Sequence, residues 1–125
     1  GTIITAQASD LLGSSAALLL NATKHLAGID HDVKLIPQEM LTPIQHTKIS
    51  YLGGHNPRLH TDEVIVALSV LSEQDENCRR ALEQLPKLRD CQVHSTVMLS
   101  DVDQRIFKKL GVQLTCEPVM KTVKR

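Results

Sequence analysis

Aromatic rings are nearly absent from this chain: besides histidine, only Tyr51 and Phe107 carry one, and there is no tryptophan. Stacking platforms for single-stranded nucleic acid are therefore lacking. An excess of positive charge is lacking too, because 14 Lys and Arg balance 14 Asp and Glu. A nucleic-acid reader normally presents a basic face, so no nucleic-acid partner is expected. Long hydrophobic runs are also missing. The longest nearly apolar stretch, Ala16 to Leu20, falls far short of the roughly 20 residues of a bilayer span, and no signal-like segment stands before it. A soluble protein with no membrane partner is expected.

Cysteine is scarce and unpatterned. Cys78, Cys91 and Cys116 are odd in number and form no Cys-x-x-Cys pair, which suggests neither a disulfide framework nor a zinc site. A reducing, cytoplasmic location fits, with each thiol acting as a small buried hydrophobe. Phosphate signatures are missing as well: there is no Walker run and no G-x-G-x-x-G.

What is present is an ordinary globular composition, 42% hydrophobic and 22% charged. A length of 125 residues suits one domain, expected over residues 1–120, with the basic segment Lys121 to Arg125 as a solvated tail. Thr2 to Thr5 reads as a strand that begins without an initiator Met, so the chain reads as a fragment of a longer protein.

Helical and strand periodicities then alternate. Ser9 and Asp10 offer a start and Gly28 a stop for a helix whose apolar stripe is Leu11, Leu18, Leu19, Ala22 and Leu26. Val33 to Ile36 reads as a strand closed by Pro37. Thr42, Pro43, Ile44 and Gln45 read as a capping box with proline at the first helical position, opening a helix to about Leu52. Thr61, Asp62 and Glu63 suit the start of a helix through Ser72, with a buried strand over Val64 to Val70 as the alternative. Ser72 to Asp75 resembles another capping box before a helix to Leu85. Val93 to Leu99 reads as a strand, Ser100 and Asp103 cap a helix around Phe107 that Gly111 ends, and Val112 to Cys116 is the last strand. The order β-α-β-α-α-α-β-α-β predicts an α/β fold, a mainly parallel sheet of about four strands with helices packed on its faces.

The densest polar cluster is the Gly- and Pro-broken run from Gly53 to Glu63. Its candidate binding or interface residues are His55, Asn56, Arg58, His60 and Asp62. Arg58 suits an ion pair or an interface anchor. The histidines lack the H-E-x-x-H spacing of a helical metal site, so no metal is expected. Ligands in open α/β sheets bind at the carboxyl edge of the strands. Connectivity through four strands puts this run at the opposite edge, leaving Ser9, Ser14 and Ser15 as anion-site candidates at the favoured one. Capping by itself accounts for Ser9, Thr42, Ser72 and Ser100. No catalytic residue and no cofactor follows from these residues.

Three stretches, TAQASDLLGSSAALLLNATKHLAG, YLGGHNPRLHTDEVIVAL, and Ala81 to Pro118 with LEQLPKLRDCQVHSTVMLS and FKKLGVQLTCEP, resemble the C-terminal portion of a bacterial family of conserved hypothetical proteins. This is a domain-of-unknown-function family whose full members are much longer. The resemblance covers nearly the whole chain and implies an upstream domain. Some members carry the label ATP-dependent peptidase, which neither a Walker loop nor a zinc-protease helix supports here. Two functions remain open: a structural and interaction domain that packs on the upstream domain or on a second copy, and part of an enzyme or binding protein for a small phosphorylated metabolite or nucleotide whose site is shared with that domain.

Overall fold

A computed structural model describes residues 4, 12–54, 58–95 and 99–116. The chain divides into two compact units, residues 1–84 and 85–125. Among the described residues the structure is mixed α/β, with five α-helices and one two-stranded parallel sheet.

The first unit holds four helices. α1 (Ser14–Ala27) buries Ala16, Leu19, Leu20 and Thr23 and ends at Gly28, whose φ of 73° is the left-handed turn glycine tolerates. α2 (Gln38–Ser50) starts behind Pro37, and α3 (Thr61–Leu71) starts behind His60. α4 (Glu76–Leu82) is capped by Asp75, whose carboxylate accepts from the amides of Asn77 and Cys78. α3 and α4 pack on each other and on α1, enclosing Ala16, Leu20, Leu59, Val64, Leu68, Cys78 and Ala81.

Three expectations change here. The strand over Val33 to Ile36 is not formed; the segment is a run of turns and bends. Its carbonyls are taken by side chains instead of a ladder: Lys24 Nζ donates to Val33 O at 2.9 Å, and Cys78 Sγ donates to Leu35 O at 3.1 Å. The capping box at Thr42 is not formed either, since α2 already begins at Gln38 and carries Pro43 in its interior. Pro37 presets the helix entrance and Glu39 suits the positive first turn, while Thr42 Oγ1 donates to Gln38 O at 3.1 Å. Finally, Ser72 closes α3, its hydroxyl donating to Ser69 O, so Asp75 alone caps α4. Val64 to Val70 is helical, because Asp62 and Glu63 supply the first-turn charge and Val64, Ala67 and Leu68 meet the core at helical spacing. The first expected strand lies outside the described residues apart from Ile4.

The second unit is a β-α-β crossover. A 3-10 turn at Leu85–Leu88 leads to β1 (Gln92–Ser95), then α5 (Asp101–Lys109), then β2 (Gln113–Cys116). The strands pair in parallel, Gln92 opposite Gln113 and Ser95 opposite Cys116. Ser100 caps α5 as its spacing predicts, Oγ accepting from Asp103 N at 3.2 Å, and Phe107 is buried with Leu88, Leu99 and Val112. The four-strand sheet expected from the sequence is thus reduced to two strands among the described residues, plus an isolated parallel bridge between Leu12 and Leu59 in the first unit. No helix of the described residues is long and apolar enough to cross a membrane.

Three outcomes follow from this packing. Asp75→Ala removes the acceptor for two amides and lowers stability by about 1 kcal/mol in urea denaturation. Burial pushes the Cys78 thiol up to about 11, with the Asp75 charge adding to the shift. Iodoacetamide under native conditions therefore labels exposed Cys91 well before Cys78. An unfolded thiol ionises near 8.5, so the Cys78 contribution to stability is complete below that pH and is lost as pH rises toward about 11.

Candidate functional site

The polar run that stands out in the sequence is tied down by a lysine that the sequence does not single out. Lys48, on the last full turn of α2, directs its ammonium at the chain returning toward α3. Nζ donates to Arg58 O at 2.7 Å and to Glu63 Oε1 at 3.0 Å, and lies 3.5 Å from His60 Nδ1. Glu63 Oε1 also accepts from the backbone amide of His60 at 2.7 Å, while Asp62 Oδ1 accepts from the amide of Glu63 at 2.8 Å. The carboxylate thus closes the open amino end of α3 and neutralises the lysine at once. The Lys48 side chain is 10% exposed and that of Glu63 27%, so the pair is largely desolvated.

Gly54 makes the approach possible. Its amide donates to Lys48 O at 2.9 Å, and a Cβ there would lie 2.9 Å from Lys48 Cγ. A glycine pair after a helix signals such an approach, but nothing local says which side chain comes close.

The expected edge assignment is overturned. Leu12 and Leu59 pair in parallel, and Gly13 N donates to Leu59 O at 3.2 Å. α1 and α3 start directly after these two residues, so both helices open at the carboxyl edge of the bridge. Connectivity failed because Val33 to Ile36 supplies no strand. His60, Asp62 and Glu63 therefore share an edge with Ser14 and Ser15 instead of lying opposite them. Ser15 is buried, and its hydroxyl has no hydrogen-bond partner. Arg58 is exposed and hydrogen-bonded. His55, Asn56 and Ser9 lie outside the described residues.

A family model described as "Domain of unknown function DUF1846, C-terminal" matches residues 1–125. The chain belongs to this family. It is 57% identical over 119 residues to a UPF0371 protein of Corynebacterium aurimucosum, covering 95% of this chain and 24% of that protein. It is 44% identical over 118 residues to a UPF0371 protein of Streptococcus thermophilus, covering 94% of this chain and again 24% of the relative. The chain thus spans about a quarter of the length of these relatives, and their names specify no activity.

In this DUF1846 domain the ligand atoms of His60, Asp62 and Glu63 lie within 4.8 Å of one another, close enough to hold a cation. The set does not fit a divalent ion, however, because Lys48 Nζ already brings a positive charge against Glu63 and His60. The cluster is a structural clamp. Glu63→Ala leaves the ammonium poorly compensated and costs about 2 kcal/mol in urea denaturation. Combined with Lys48→Met, the loss falls short of the sum of the single losses by about 1 kcal/mol, the coupling expected of a contacting pair.

Proposed function

We propose that this domain is a structural and interaction module that packs on the remainder of a longer bacterial protein, in a reducing cytoplasm, with residues 1–120 as the module and 121–125 as its tail. The observation that carries this is an apolar stripe beside the clamp. Val66 is 64% and Val70 62% exposed, one turn apart on α3 and in line with Glu63 at helical spacing. Tyr51 and Leu52, three and four residues beyond Lys48, are 75% and 76% exposed. Single exposed apolar residues are ordinary, but a stripe on a helix already packed on its other face marks a contact surface.

Its occupant is the upstream region of the same polypeptide. The curated relatives devote about three quarters of their length to residues outside this segment, and a domain boundary within one chain supplies a partner at high effective concentration. Exposed Arg58, whose carbonyl the clamp holds, suits the rim of such an interface.

Hydrogen exchange on the full-length family protein tests the proposal. Residues 61–71 are expected to exchange slowly on the outward Val66 and Val70 side, and Val66→Asp with Val70→Asp to expose the helix without lowering its helical content. Exchange unchanged by the double substitution overturns the interface. Protection that depends on protein concentration transfers the surface to a second copy.

A further inference from the structure

The first unit contains a cavity of about 360 Å³, at the lower end of the roughly 300–1,000 Å³ usual for small-ligand sites. Its walls include Leu20, Leu35 and Leu41, and its polar margin Lys24, Lys34 and Gln38. Side chains of α1, the bent segment before α2, and the first turns of α2 meet there.

The two charged residues that line the cavity, Lys24 and Lys34, are both cationic. Lys24 is buried, and its ammonium donates to His31 O at 2.8 Å and Val33 O at 2.9 Å, two neutral acceptors. A third N–H remains on that nitrogen. Among the described residues no carboxylate lies at ion-pair distance from Lys24 or Lys34. Asp30 and Asp32 are near enough to moderate the field, but both face exposed His31, at 3.6 and 3.1 Å. Burial is the main cause lowering the Lys24 pKa, and Lys34 is close enough to add to it. Gln38 is the first residue of α2, and Pro37 before it supplies no side-chain cap. The helix brings its amino end to the same margin, where Glu39 in the first turn offsets part of its positive field. Two ammonium groups and a helix amino end match a doubly charged anion better than a single carboxylate. The leucine walls match an apolar body attached to it.

We propose that this cavity binds a small organic phosphate, with its phosphoryl group between Lys24, Lys34 and the amino end of α2 and its apolar body against Leu20, Leu35 and Leu41. The site is separate from the clamp at Lys48, and the proposal does not depend on the interaction surface of α3.

Phenyl phosphate is the probe, titrated into the full-length family protein and followed by broadening of its phosphorus resonance. Lys34→Glu tests the site without endangering the fold, because Lys34 is exposed, whereas Lys24 also closes the 31–33 turn. Phenyl phosphate is expected to bind, Lys34→Glu to weaken it at least tenfold, and Lys87→Glu in the second unit to leave it unchanged. Inorganic phosphate should bind more weakly than phenyl phosphate, and phenol should not compete. Absence of broadening in the unsubstituted protein, or equal binding by Lys34→Glu, overturns the site. Inorganic phosphate binding as tightly as phenyl phosphate overturns the apolar subsite. The Val66 and Val70 substitutions leave this titration unaffected, so either proposal can fail without the other.

Discussion

One buried ammonium holds the first unit's return path in place. α2 ends at Ser50, and residues 58–60 lead into α3, with Leu59 in the parallel bridge. Leu59 reaches full burial on that path, and its carbonyl meets Gly13 N. A turn of this kind has few backbone partners of its own. Lys48 supplies them from the preceding helix, by way of Arg58 O on one side of Leu59 and Glu63 on the other.

The same device recurs at the other end of α2. Lys24 closes the turn between α1 and α2 by taking the carbonyls of His31 and Val33, as Lys48 closes the turn between α2 and α3. The two differ in compensation. Lys48 has a carboxylate at 3.0 Å, whereas Lys24 bonds neutral oxygens, with Asp32 and Asp30 acting on it from beyond ion-pair distance. A buried charge without a contacting counter-charge is costly to desolvate, and that cost makes the surroundings of Lys24 receptive to an anion while those of Lys48 are already satisfied.

Local chemistry made much of the fold legible from sequence. Ser100 and Asp103 sit three residues apart and form the cap their spacing predicts, and Gly28 closes α1 with a positive φ. The second unit follows its pattern closely because β1, α5 and β2 are consecutive and need no distant partner. The misread segment is the one decided by long-range bonds. Val33 to Ile36 has strand-like residues, but Cys78, 43 positions away, takes the Leu35 carbonyl. Lys24 lies off the apolar stripe of α1, yet its long side chain, like that of Lys48, reaches carbonyls that a helical wheel does not display. His60, Asp62 and Glu63 were visible as a cluster; the lysine that completes it was not.

The misplaced strand also decided the misplaced edge. Counting directions through an assumed strand at 33–36 put the run before α3 opposite the anion-binding edge, whereas a parallel bridge between Leu12 and Leu59 requires α1 and α3 to open on the same side. Two helix amino ends side by side repel each other electrostatically unless each is answered. At α3 Glu63 and Asp62 provide the answer; α1 has no acidic residue in its first turn and no side-chain cap. The carboxylates of α3 therefore do more than cap their own helix. Glu63 also pairs with the Lys48 ammonium, so the edge at α3 already holds contacting counter-charges, an environment less favourable to an anion than the margin of the cavity at Lys24 and Lys34.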